Sequence, residues 1–341
     1  MLDRQLRARV DEALEEFVAE EVGQVAALHE GLGPIIDQLR VTVAGGKRMR
    51  AAFCYWGWRA AGQPDTDAMI RAAAAMELAH AAAIVHDDII DDSLVRRGMP
   101  SAHTALRKVA GNDGGTALAI LVGDMLIVWA AHLFSSCGLP QTYLGRARQL
   151  WIAFARELVV GECLELLSGT GTGRVCRAME IIRLKTAKYT VERPLHIGGT
   201  LGGASPQLLA AFTEYGLPLG EAFQLRDDLL GVFGDPDRTG KSNLDDLRSR
   251  KPTVLLALTL SGANPAEREE LSRLLDGPGL EAEGLRVVRE IMLKVGAREQ
   301  VEAMIDERAA AALTALERTR MPSDASEALT QLVSATVTRR S

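Results

Sequence analysis

Residues 67–92 read DAMIRAAAAMELAHAAAIVHDDIIDD. Their reading decides the fold class. Ala and Leu are the strongest intrinsic helix formers, so the stretch predicts one long helix. Its body is apolar, and its end carries Asp87, Asp88, Asp91 and Asp92. Asp87 and Asp91 are four residues apart and share a helix face, with Asp88 and Asp92 beside them. Carboxylates packed this closely repel one another unless a cation neutralises them. The apolar run Ala79–Val85 just before them places the cluster at the edge of a core, which argues against a merely solvated helix end.

The rest of the chain follows the same pattern. Of 341 residues, 47% are hydrophobic but only 4% are aromatic, so the core is built from Ala, Leu, Val and Ile. That composition favours helices over sheets, which prefer β-branched and aromatic residues. Helical periodicity predicts elements over 3–28, 47–60, 67–92, 116–134, 140–167, 174–200, 206–233, 252–260, 264–276, 280–294, 297–316 and 324–337. Gly31, Gly33 and Pro34 interrupt the first, and strand signals are nearly absent. Nothing marks a domain boundary, so the expectation is a single all-α domain over 1–341.

The formal net charge is −6 and there is no basic tail, so no nucleic-acid partner is expected. The cysteines at 54, 137, 163 and 176 form no Cys-x-x-Cys pair. The N-terminus lacks an apolar signal region. The expectation is a cytoplasmic chain with reduced, buried thiols. Residues 116–134 are long and apolar enough to prompt a membrane check, but Asp124 lies near their middle. They are expected to form a helix inside a bundle with Asp124 paired internally, not an integral membrane span.

The chemistry lies in charged clusters. Oxygen-only ligands suit Mg²⁺ rather than Zn²⁺, and Mg²⁺ so held keeps positions open for phosphate oxygens. A second acidic pair, Asp227-Asp228, follows Phe223-Gln224-Leu225-Arg226 on another apolar segment. Its i+4 position is Gly231, so a third carboxylate is missing there. Gly45-Gly46-Lys47-Arg48-Met49-Arg50 opens a helix, where glycines and a helix N-terminus favour an anion. Arg96-Arg97-Gly98, Lys185-Thr186, Lys241 and Lys251 add positive charge. Together the clusters point to a diphosphate-bearing substrate.

One motif is set aside and a second is kept as an alternative. Residues 234–242 imitate a phosphate-binding P-loop, but the glycine spacing is one residue too long and no strand precedes it. Glu77-x-x-His80 matches one element of a di-iron bundle, which needs two.

In this order and spacing the motifs resemble those of the trans-isoprenyl diphosphate synthases, or polyprenyl synthetases. Gly46-Lys47-Arg48-Met49-Arg50 is similar to the GKRxR element, and Asp87-Asp88-Ile89-Ile90-Asp91 to the first aspartate-rich motif. Lys185-Thr186 is similar to the KT element, and Phe223-Gln224-x-x-Asp227-Asp228 to the second aspartate-rich motif. The resemblance spans about residues 33–260. It implies an all-α helical bundle around a central cavity, of the isoprenoid synthase type.

The resemblance also implies roles. Asp87, Asp88 and Asp91, with Asp227 and Asp228, would hold Mg²⁺ (three ions, with Mn²⁺ able to substitute). Arg96, Lys185, Lys241 and Lys251 would contact the allylic diphosphate. Lys47, Arg50, His80 and Arg97 would hold isopentenyl diphosphate. Thr186 and Gln224 would lie near the reacting carbons. Asp87, Asp88, Lys185, Gln224 and Asp227 would carry catalysis. The allylic diphosphate leaves, isopentenyl diphosphate attacks the cation, and the departing diphosphate accepts the proton. Product length would be set at Ala79, Ala82 and Ala83, or deeper at Met76 or Trp129. Three alanines in those places imply a geranylgeranyl or longer all-trans product, and the resemblance implies a homodimer. Alternatives are a farnesyl diphosphate synthase, a class I terpene cyclase and a non-catalytic subunit of a hetero-oligomeric synthase.

Overall fold

The structure is a computed structural model describing residues 4–168, 174–235, 245–249, 251–276 and 280–337. Among the described residues the chain is all-α, apart from one small hairpin. It divides into two compact units. The first comprises Met1–Arg148, Pro194–Ser205 and Met321–Ala325, and the second Gln149–Arg193, Pro206–Arg320 and Ser326–Ser341.

The first unit is built on α4 (Asp67–Ile90) and the kinked α5 (Ala102–Ser135), which pack on each other. Thr66 starts α4 by accepting a hydrogen bond from the Met69 amide. The run Ala72–Ala75 is fully buried, so neighbouring backbones approach closely there. Against α4 lie α1 (Arg4–Leu28), α2 (Gly33–Val43) and α3 (Met49–Ala60). The second helix was not expected: Gly33 and Pro34 start it rather than break the chain, because Pro is tolerated in a first helical turn. On α8 (Arg193–Leu201) a Cβ at Gly198 would lie 1.8 Å from the Cys54 carbonyl oxygen of α3, so only glycine permits that crossing.

The helix expected over 116–134 begins earlier, at Ala102, and is kinked at Gly111 (φ 73°), inside α5. The expectation of a buried α5 also needs correcting. Ile120, Leu121, Ile127 and Val128 are exposed, and so is Asp124, whose Oδ1 is 3.8 Å from His86 Nε2. Both α4 and α5 are long and apolar enough to cross a membrane by length and composition alone. Of the cysteines, Cys54 and Cys137 are buried, whereas Cys163 and Cys176 are exposed.

The second unit contains most of α6 (Gln141–Ser168), α7 (Val175–Ile181), α9 (Pro206–Phe233) and α14 (Ala297–Glu317). Its core joins Leu225, Leu229 and Val232 of α9 to Val301 and Ile305 of α14. The segment expected as one helix over 174–200 is interrupted by a π-helix, Ile182–Glu192, whose wider turn is common at functional sites. Periodicity at 3.6 residues does not reveal it.

Candidate active site

In the first unit the last turn of α4 presents Asp87, Asp88 and Asp91. The chain then reverses through a hairpin, β1 (Val95–Arg96) against β2 (Met99–Pro100). Its turn residues Arg97 (φ 53°) and Gly98 (φ 77°) both take positive φ, which fits a tight two-residue turn. The hairpin returns Arg96 onto the acidic cluster. Arg96 Nε donates to Asp88 Oδ1 at 2.8 Å, its Nη2 bonds the same oxygen, and Nη2 lies 3.4 Å from Asp87 Oδ2. Burial raises the Asp88 carboxyl above its ordinary value while Arg96 pulls it back down. Its neighbour Arg97 points elsewhere, donating from Nη1 to the Ala44 carbonyl at 2.8 Å.

That carbonyl opens the Gly45–Lys47 loop. Gly45 (φ 69°) and Gly46 (φ 103°) are left-handed, and a Cβ on Gly46 would lie 3.1 Å from the Arg97 guanidinium. Lys47 is exposed, Arg50 is half-buried and His80 on α4 lies close by. Burial first, then the charges of Arg50, Arg97, Arg96 and Arg48, hold the His80 imidazole well below its ordinary value. It is therefore neutral, and able to donate a hydrogen bond, inside a crowd of mutually repelling cations. Such a crowd favours a multivalent anion.

The second unit carries the remaining site residues. The π-helix places Lys185 and Thr186 on successive positions. Thr186 Oγ1 donates to Gln224 Oε1 at 2.7 Å, and Gln224 Nε2 donates to Asp228 Oδ1 at 2.8 Å. This ties the KT element to the second acidic pair on α9. Three glycines cradle the π-helix. A Cβ at Gly220 would lie 2.3 Å from Ala187 Cα, at Gly161 2.6 Å from Lys185 N, and at Gly216 3.0 Å from Glu192 Cα. Lys185 was expected at the allylic diphosphate. Here its Nζ pairs with Glu162 Oε2 (2.8 Å) and Glu165 Oε1 (3.0 Å), the nearest carboxylates on α6.

Other expectations fare unevenly. Lys251 is half-buried ahead of the helix Val254–Gly262, and Asp227 is half-buried beside Asp228. Lys241 lies outside the described residues. Among the described residues no three His, Cys, Asp or Glu side chains converge to hold a metal. The first-motif carboxylates nonetheless fit a hard divalent cation. They are all-oxygen donors on one helical turn, and the buried Asp88 already demands a positive partner, a need met here by Arg96. Ala82 (1% exposed) and Met76 (0%) are closed off by packing, so of the length-setting positions only Ala79 and Ala83 present open surface.

The sequence did not reveal the contacts of three residues. Arg48 is buried, and its Nε donates to Asp11 Oδ1 at 2.6 Å. Glu77, the acid of the di-iron imitation, accepts from the Ala51 amide at 3.0 Å instead. His86 lies against α5 where a Cβ at position 123 would come within 2.2 Å of its Nε2. A glycine inside an apolar helix, Gly123, is the one signal that could have exposed this contact.

The polyprenyl synthetase family profile matches residues 35–292, which includes every described site residue named above except Asp11. The chain belongs to the polyprenyl synthetase family. It is 33% identical over 270 residues to a geranylfarnesyl diphosphate synthase of Aeropyrum pernix, covering 78% of this chain and 81% of that one. It is 30% identical over 313 residues to an octaprenyl diphosphate synthase of Escherichia coli, covering 90% and 92%. Among solved structures it is similar to geranylgeranyl pyrophosphate synthase from Corynebacterium glutamicum complexed with isoprenyl diphosphate and magnesium. That match has TM-score 0.94 and 34% identity, and covers 100% of both chains. The all-α fold is that of these polyprenyl synthetases, and the activity class is that of the trans-prenyl diphosphate synthases.

Proposed function

We propose that the protein condenses isopentenyl diphosphate with an allylic diphosphate, head to tail, to give geranylgeranyl diphosphate or a longer all-trans product. The observation that carries this reading is the pairing of opposite clusters along α4. A carboxylate cluster lies at its end, and a cation crowd surrounds His80 seven residues earlier. At 1.5 Å per residue that separation is about 10 Å along the axis, room for two diphosphates side by side. A terpene cyclase needs only one such site.

Asp87, Asp88 and Asp91 would hold Mg²⁺ at the allylic diphosphate, and Asp227 and Asp228 on α9 would likewise serve as Mg²⁺ ligands. When bound, Mg²⁺ supplies Lewis-acid stabilisation of the charge on the departing diphosphate. Arg96, paired with Asp88 here, would add its own charge to the stabilisation of that leaving group. Lys47, Arg50 and Arg97 bind isopentenyl diphosphate, with neutral His80 donating a hydrogen bond. Thr186 is oriented by Gln224, which Asp228 holds in turn, so its hydroxyl is fixed rather than rotating. The growing chain runs along Ala83 and Ala79, whose open surfaces lead away from Asp87 on the same face of α4.

The protein acts as a cytoplasmic homodimer. Ile120, Leu121, Ile127 and Val128 form an exposed apolar stripe on α5, which supports burial against a second copy. The test is incubation with isopentenyl diphosphate and dimethylallyl, geranyl or farnesyl diphosphate, with and without Mg²⁺. Product length is read by mass spectrometry. Mg²⁺-dependent products of twenty carbons or more are expected, and no condensation with any of the three primers would overturn the proposal.

A further inference from the structure

Arg48 lies between two residues that this reading gives to isopentenyl diphosphate, yet its own guanidinium is taken up by other partners. Lys47 is exposed and Arg50 half-buried, whereas Arg48 is only 6% exposed. Its backbone is left-handed (φ 52°, ψ 36°), a conformation that residues with a Cβ rarely hold without outside restraint. The restraint is the guanidinium. Nε donates to Asp11 Oδ1 on α1 at 2.6 Å, and Nη2 donates to the Val43 carbonyl at 2.9 Å. Nη1 lies 4.0 Å from Glu77 Oε2 on α4.

The other oxygen of Glu77 accepts from the Ala51 amide at 3.0 Å. Position 48 makes no side-chain cap for α3, so Glu77 supplies that cap from another helix. Arg50 is thereby enclosed between two anchored points, Arg48 before it and Ala51 after it. The loop leading in is held in the same way. Arg48 holds the Val43 carbonyl and Arg97 the next one, Ala44, across the left-handed Gly45 and Gly46. Every one of these ties converges on the backbone that presents Lys47 and Arg50.

We propose that Asp11, Arg48 and Glu77 form a positioning relay for the isopentenyl diphosphate site, an inference that rests on the reading of Lys47, Arg50, His80 and Arg97 as that site. Asp11 is the outermost member, on the N-terminal helix and outside the stretch that the family profile matches. It is not among the residues given to either diphosphate. Its effect travels through a planar fork that Lys cannot reproduce.

The experiment measures kcat, KM for each substrate and the thermal midpoint in four variants of the full chain. Asp11→Ala removes the outer anchor from a partly exposed helical position. Glu77→Gln keeps an acceptor for Ala51 but removes the charge facing Arg48. Arg48→Lys keeps the charge and loses the fork. Lys47→Ala tests the site itself. Asp11→Ala and Arg48→Lys are expected to raise KM for isopentenyl diphosphate by about tenfold, the loss of one charge-assisted contact's positioning, with the allylic KM within about twofold. Glu77→Gln is expected to show the same selectivity with a smaller rise.

A folded Asp11→Ala with unchanged KM for isopentenyl diphosphate, or with both KM values raised equally, overturns the relay. If Arg48→Lys does not fold, Asp11→Ala decides alone. A Lys47→Ala variant with unchanged KM for isopentenyl diphosphate overturns the site assignment beneath the relay. A raised KM in Lys47→Ala alone leaves the site standing and removes only the relay.

Discussion

Gly220 offers the sharpest test of how the second unit is built. A Cβ there would lie 2.3 Å from Ala187 Cα, in backbone that cannot swing aside. Carbon atoms pack comfortably at about 3.5 Å, so α9 and the π-helix would have to part by roughly 1.2 Å. Gln224 is one turn further along α9, and Thr186 directly precedes Ala187. The 2.7 Å bond between them would stretch toward 4 Å under roughly that displacement and fail. Overpacking costs about 1–3 kcal/mol and the lost hydrogen bond about 1 kcal/mol. Replacing a helical glycine with alanine returns about 1 kcal/mol. Gly220→Ala should therefore be destabilised by about 1–3 kcal/mol in a thermal melt. It should also lose roughly a hundredfold in kcat, because a displacement near 1 Å at a positioned group costs about that much. Gly216→Ala is the internal comparison. Its Cβ would meet Glu192 Cα at 3.0 Å, a much smaller overlap, and the propensity gain should nearly cancel it. Diphosphate release and melting are measured on both. If Gly220→Ala melts and turns over like Gly216→Ala, the close approach of α9 to the π-helix is wrong.

Other consequences follow from burial. Ala83→Phe should shorten the product, because Ala83 presents open surface one turn before Asp87, whereas the closed Ala82 should answer Ala82→Phe with about 1–3 kcal/mol of overpacking. Product chromatography beside melting separates the two, and a long product from a folded Ala83→Phe would remove this position from the chain path. Leu121→Lys puts a charge in the exposed α5 stripe and should shift the protein from dimer to monomer by light scattering; an unchanged dimer would place the interface elsewhere. The third consequence concerns pH. His80 is held neutral in the fold, with its pKa depressed by burial and then by the arginine charges, while in the unfolded chain it takes a proton near its ordinary 6.5. The unfolded state then binds more protons as pH falls below 6.5, so stability is present above that value and lost below it. The loss from this group approaches about 1.4 kcal/mol per pH unit. Urea melts of wild type and His80→Gln from pH 5 to 7 should differ by that slope, and parallel curves would mean the imidazole is not held neutral.

The balance between what was legible in the sequence and what was not has a physical basis. Long helices such as 67–90 and 206–233 were readable because they are long apolar runs rich in Ala and Leu, bounded by a cap or by turn residues. The π-helix at 182–192 was not, since its wider turn is sustained by glycines on α6 and α9 that lie elsewhere in the sequence. The acidic and basic site residues were readable because charges beside apolar runs demand a ligand. What those charges do among themselves was hidden, because it depends on partners brought in by the fold. Arg96 and Arg97 are neighbours with the same chemistry, yet a turn with two positive φ values sends one to Asp88 and the other to the Ala44 carbonyl. Lys185 likewise pairs with Glu162 and Glu165, a choice set by the missing side chain at Gly161 that lets α6 press against it. Glu77 shows the limit most clearly. Its spacing to His80 imitated a metal element, but its carboxylate is spent on the Ala51 amide and on Arg48. Glu77 is buried and aimed at one helix end and a buried guanidinium, so this tertiary contact accounts for its place without a metal, and losing it would leave the start of α3 without its cap.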